Sequence, residues 1–316
     1  MNREKITWRD PALGERHALD LAQGRLRWFD AGSGPAIVFV HGLLVNANLW
    51  RKVVARLSPD FRCVTLDLPL GAHELPMKPD ADLSPLGVAN LIADAIEALE
   101  LEEVTLVGND TGGALCQLLV TSRPERIGRL VLTSCDYRDK FPPPTLDLSF
   151  RLLPALEPLL PVLFAPTRVR AFRRLPLFMG GVTKRPIEPR AEDSFVLPIL
   201  SDRRVRADFI KMVRGVDRRL TNQAADRLKD FDRPALIAWS REDRFFTTED
   251  GEGLASDLPN ARLEWIDDAR TFSAEDQPDR LAELIAGFVR ENAGTVASPG
   301  ISPPRGFAES GGRSRS

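Results

Sequence analysis

Two hydrophobic periods alternate along the chain. Residues 36–40 are apolar at every position, and comparable runs recur at 63–68, 104–107, 130–132 and 235–239, with a last, mixed run at 262–266. Short runs of this kind fit strands buried on both faces of a parallel sheet. Between them lie segments such as 88–99, where apolar residues return every three or four positions, as on one face of a helix. Strand, helix and strand in repetition predict a parallel sheet covered by helices on both faces. An earlier stretch, 17–30, alternates partially around Gly24 and predicts a hairpin.

One interval breaks the rhythm. Leu130 and Ala235 open successive runs but lie so far apart that roughly seventy to eighty residues are inserted between them. The insert is rich in Pro, Leu, Phe and Arg, and 150–164 reads as short helices broken by prolines. It follows the carboxyl end of a sheet strand, which places it over the crevice where such sheets bind ligands, so it is read as a cap. The expected division is core at 1–136, cap at 137–230, core again at 231–292 and a disordered tail at 293–316. The tail is too poor in apolar residues to offset the cost of ordering.

Composition narrows the function classes. The chain has 316 residues, a net charge of −2 and 43% hydrophobic residues, so no basic footprint for nucleic acid is present. Residues 138–219 hold 17 Lys or Arg against 9 Asp or Glu, an excess that suits either steering of an anionic substrate or solvated faces of short helices. The opening residues lack the apolar core of a signal peptide, and no run approaches the ~20 apolar residues of a membrane helix. A cytoplasmic protein acting on a small molecule, with no nucleic-acid or membrane partner, is expected; nothing in the sequence sets its oligomeric state. Cys63, Cys116 and Cys135 fall in apparent core segments and read as buried thiols rather than a disulfide framework. No metal or cofactor is expected.

The candidate chemistry centres on residues 104–113, where a strand-type run breaks into a turn carrying one carboxylate, Asp110, among Gly108, Gly112 and Gly113. A side chain raised on a tight strand-to-helix turn needs neighbours without bulk, so the stretch reads as a nucleophile elbow. An ordinary turn with Asp110 capping the next helix is the other reading.

Four features in order carry a resemblance: His41-Gly42 after a buried strand, with Trp50 beyond it; Asp67-Leu-Pro-Leu-Gly71 after the next; Gly108-Asn-Asp-Thr-Gly112; and Ser240-Arg-Glu-Asp243 after the strand beyond the cap. Over residues 17–290 the chain resembles the α/β-hydrolase superfamily, in the branch with an aspartate nucleophile that includes haloalkane dehalogenases and epoxide hydrolases. The resemblance implies displacement at carbon by Asp110, giving an ester that a His-activated water hydrolyses. It implies oxyanion donors at the backbone N–H groups of Leu43 and Thr111, with His41 shaping that loop. It also implies an orienting acid at Asp243, with Asp136 as the second candidate.

The sequence departs from the family pattern at the base. The loop that carries the histidine places Thr271 in its position, and no histidine follows His73. Threonine is not a general base near neutral pH. His73, on the loop side of the sheet, is the substitute to test; His17 is read as structural. The halide donors and the paired cap tyrosines that the resemblance implies for the named activities are also missing: the two halide-donor positions hold Thr111 and Leu43, all five tryptophans lie outside the cap, and Tyr137 is the single tyrosine. The expected function is therefore a hydrolase acting through Asp110 as nucleophile or general base with an atypical triad. The alternatives are lyase, cyclase or isomerase chemistry, or a ligand-binding relative without catalysis.

Overall fold

The computed structural model describes residues 3–176 and 178–293. Eight strands form one sheet: β1 (Glu15–Leu21), β2 (Gly24–Ala31), β3 (Ala36–Val40), β4 (Arg62–Asp67), β5 (Val104–Asp110), β6 (Ile127–Cys135), β7 (Ala235–Ser240) and β8 (Ala261–Ile266). Their spatial order is β1-β2-β4-β3-β5-β6-β7-β8. The hairpin β1–β2 and the β2–β4 pair are antiparallel, and β3 to β8 run parallel.

The unbroken apolar runs became the inner strands for the reason their pattern implies. Side chains alternate across the sheet, so Val38, Leu106, Leu130 and Ile237 face one hydrophobic layer while Ile37, Phe39, Val107 and Leu236 face the other. The mixed run became β8, an edge strand whose positions are only partly buried except Ile266. The helix read at 88–99 spans Pro85–Ala98. It begins earlier because the Ser84 hydroxyl accepts from the Gly87 N–H at 3.1 Å and Pro85 needs no backbone partner at the first helical position.

Between β6 and β7 the described residues contain helices and turns but no strand. Residues 144–176 and 178–182 contain helical pieces of at most six residues, and three longer helices follow at Pro189–Ser201, Arg203–Gly215 and Arg218–Arg227. Buried polar contacts fasten this layer to the core. Asn46 Nδ2 donates to the Ser194 carbonyl at 2.9 Å, and Asn48 Nδ2 to the Ser194 hydroxyl at 2.8 Å. Asp276 accepts from the backbone N–H groups of Lys184 and Arg185, and Arg270 reaches the carbonyls of Gly180 and Thr183.

The three cysteines are buried and unpaired. Among the described residues no helix is long and apolar enough to cross a membrane. The tail expected to be disordered lies, from residue 294 onward, outside the described residues.

Candidate active site

Asp110 ends β5 and precedes the helix Thr111–Val120, with φ at +54°. That conformation is costly for a residue with a Cβ and persists only where packing enforces it. The enforcement is close packing: a Cβ on Gly113 would overlap Cys135, and one on Gly42 would overlap the Asp110 carboxylate itself. Loop 41–44 can therefore close over the elbow.

The closure brings the Leu43 N–H to 3.2 Å from Asp110 Oδ2. One carboxylate oxygen is thus held in an N–H cradle, and Asp110 keeps partial solvent access. Burial pushes its pKa up to about 7, opposed by the N–H groups of Thr111 and Leu43 and reinforced by the charge of Asp243. Asp110 makes no side-chain capping bond to the following helix.

Two further carboxylates lie around the elbow. Asp136, just after β6, accepts from the Thr111 hydroxyl at 3.1 Å, and its Oδ1 is buried without a partner among the described residues. Burial, and then the neighbouring Asp110, raise its pKa well above the usual carboxylate range. Asp243 follows β7, and its Oδ1 accepts from the N–H groups of Phe245 at 2.8 Å and Phe246 at 3.0 Å. Burial raises its pKa against these donors and the hydroxyls of Thr271 and Ser134.

Thr271 is fully buried, and its hydroxyl donates to Asp243 Oδ1 at 3.1 Å. The Asp243 carboxylate and the Thr271 hydroxyl are therefore joined directly, and a hydroxyl cannot take a proton at neutral pH. Its carbonyl accepts from Asn109 Nδ2 at 2.7 Å, and the same amide reaches the Thr133 hydroxyl at 2.7 Å and the Ser134 carbonyl at 3.2 Å. Asn109 was not singled out in the sequence. Its signal is a polar residue at the end of an apolar strand, directly before the elbow carboxylate.

The histidines lie apart from this chemistry. His41 is buried, with Nδ1 at 2.9 Å from the Gly42 carbonyl while Nε2 accepts from the Leu68 N–H at 2.9 Å, so the ring is neutral with its proton on Nδ1. Burial lowers its pKa to about 4, partly offset by Asp67. It pins loop 41–44 to the end of β4. His73 was expected as a substitute base, but the structure does not bring it into hydrogen bonding with Asp110. Its Nε2 lies 3.1 Å from Asp208 Oδ2 on a cap helix, and Asp208 also accepts from the Met77 N–H at 2.8 Å. His17 stacks on Trp28, with ring centroids 4.5 Å apart.

Among the described residues no group of three or more His, Cys, Asp or Glu side chains is arranged to hold a metal ion. Asp110, Leu43 and Thr111 form one constellation, to which Asp243, Thr271 and Asp136 are joined.

Comparison with known proteins agrees with this architecture. Haloalkane dehalogenase 2 of Mycobacterium tuberculosis is 28% identical over 284 residues, covering 87% of this chain and 96% of the relative. A 2-hydroxy-6-oxononadienedioate/2-hydroxy-6-oxononatrienedioate hydrolase of Burkholderia vietnamiensis is 26% identical, covering 84% and 91%. The solved structure of a haloalkane dehalogenase from Bradyrhizobium elkani superposes with a TM-score of 0.73 at 18% identity, covering 89% of this chain and 99% of that one. A family model described as the alpha/beta hydrolase fold matches residues 35–278, and the chain belongs to the α/β-hydrolase superfamily.

Proposed function

We propose that the protein is an enzyme that attacks an electrophilic carbon of a small, apolar organic substrate with Asp110, and releases the resulting ester slowly. The observation that carries this reading is the placement of Asp110 Oδ2 at 3.2 Å from the Leu43 N–H. With that oxygen held, Oδ1 is the one left to form the new C–O bond while the leaving group departs with its bonding pair. Oδ2 then becomes the ester carbonyl oxygen, already in the cradle that stabilises an oxyanion when water adds. An apolar cluster that takes in Leu43, Phe195, Phe209 and Phe272 joins core and cap beside this loop and suits an apolar substrate.

Release is the weak step. Thr271 gives water no base, so the ~10²- to 10⁴-fold contribution of general-base catalysis is missing. The unpartnered Asp243 Oδ2 is the group left to receive the proton. The relatives named as dehalogenase and hydrolase support carbon-centred chemistry of this class without naming this chain's substrate.

The raised pKa of Asp110 favours a second reading, proton abstraction by Asp110 as a general base in lyase or isomerase chemistry. Intact mass spectrometry after incubation with short haloalkanes, epoxides and activated esters separates the two. A stable adduct mapping to Asp110, absent in Asp110→Asn and forming faster as pH rises through about 7, is the expected result. Turnover with no adduct under single-turnover conditions supports the base instead, and activity that survives Asp110→Asn removes both.

A further inference from the structure

The outer surface of the cap is unlike the rest of the molecule. Eight of the nine large hydrophobic side chains exposed among the described residues lie between 148 and 175, with Val162 at 70%, Leu148 at 68% and Val169 at 56% exposure. The same 28 residues carry five arginines and one acidic residue, Glu157. Arg173 turns inward to Glu192 and Asp193, whereas Arg151, Arg168, Arg170 and Arg174 are exposed. Arg168 and Arg174 form no ion pair among the described residues, while Arg151 and Arg170 are paired at the surface with Asp147 and Asp193.

The prolines explain why this face stays open. They divide the stretch into helical pieces of three to six residues, some of which anchor inward through a buried residue, as at Leu160, Thr167 and Arg173. The eight exposed apolar side chains point outward, with no further layer of the described residues over them. Apolar exposure concentrated in this way marks an interaction surface.

We infer that this face of the cap docks on an anionic lipid surface. Charge selects the occupant. A symmetric pair of chains joined through this face would set Arg168 and Arg174 against arginines of the same patch, a like-charge contact. An anionic bilayer complements both parts: the apolar side chains enter the interfacial layer while the arginines meet headgroups. The inner side of the stretch, through Phe150, Leu153 and Phe164, packs on the same apolar cluster that Leu43 packs against, so docking places lipid on the outer side of the cap. The overall charge of −2 conceals this local basic surface.

Co-sedimentation of the full chain with vesicles tests the inference. Vesicles of equal parts phosphatidylglycerol and phosphatidylcholine are expected to bind the protein, pure phosphatidylcholine far less, and added salt to release it. Val162→Glu with Val169→Glu is expected to lower partitioning roughly tenfold or more. Arg168→Ala with Arg174→Ala is expected to lower it about thirtyfold on anionic vesicles. Both variants change exposed residues, so a melting temperature equal to the parent's keeps the comparison valid. Absence of partitioning, or partitioning indifferent to these substitutions, overturns the inference. So does a dimer in light scattering that Val162→Glu separates, since a second copy would then cover the face. Asp110→Asn is expected to bind vesicles as the parent does, which keeps this result independent of the chemistry at the elbow.

Discussion

In the reaction proposed above, Thr271 decides how far the chemistry can run. Its hydroxyl donates to Asp243, so under that proposal the acid is held but has no base to orient. Thr271→His is expected to raise turnover of an Asp110 ester by ~10²- to 10⁴-fold while leaving the rate of ester formation within a few-fold, measured as burst and steady-state phases. An unchanged steady state would mean that release is limited elsewhere. Asp110 itself bears on stability. Its carboxyl is raised to about 7 in the folded chain, so the fold binds this proton more tightly than the unfolded chain does. Its contribution is full at pH values below the ordinary carboxylate range and fades as pH climbs through about 7. Asp110→Asn removes this charge, so it is expected to melt several degrees above the parent at pH 8 and level with it near pH 4, in a series of melts across that range.

At the scale of elements, the elbow depends on one amide. Asn109 Nδ2 links the end of β5 to the carbonyls of Ser134 and Thr271, so it joins the strand of Asp110 to the end of β6 and to the loop at Thr271. Asn109→Ala leaves those buried carbonyls short of a donor and is expected to cost about 1–3 kcal/mol in urea denaturation. This dependence also marks where the sequence could be read and where it could not. The inner strands were legible because burial on both faces leaves a run with no polar face, and Asp110 was legible because its turn requires glycines nearby. Asn109 and Asp208 were not, because Thr271, which ties Asn109 to the site, and His73, which Asp208 holds, lie more than a hundred positions away and carry no local pattern. For the same reason His73 read as a candidate base: its position on the loop side of the sheet was visible, but the cap helix that occupies its Nε2 was not.

Across the whole molecule, the question is whether the cap is a separable lid or part of one cooperative body. The ties are several and buried: Ser194 to Asn46 and Asn48, Asp208 to His73 and Met77, Asp276 to Lys184 and Arg185. Breaking them together would strand buried polar groups on both sides, a cost that opposes independent opening of the cap. The tryptophans offer a direct check, because all five, at 8, 28, 50, 239 and 265, belong to the core, while the helices of the cap contribute to far-ultraviolet circular dichroism. Urea unfolding followed by tryptophan fluorescence and by circular dichroism is therefore expected to give coincident transitions. Helix loss that precedes the fluorescence change would show the cap melting first, and the polar ties would then be too weak to make cap and core one unit. Coincidence would instead tie access to Asp110 to local motion of the short helical pieces at 144–176 and 178–182, the part of the cap with the fewest residues per element.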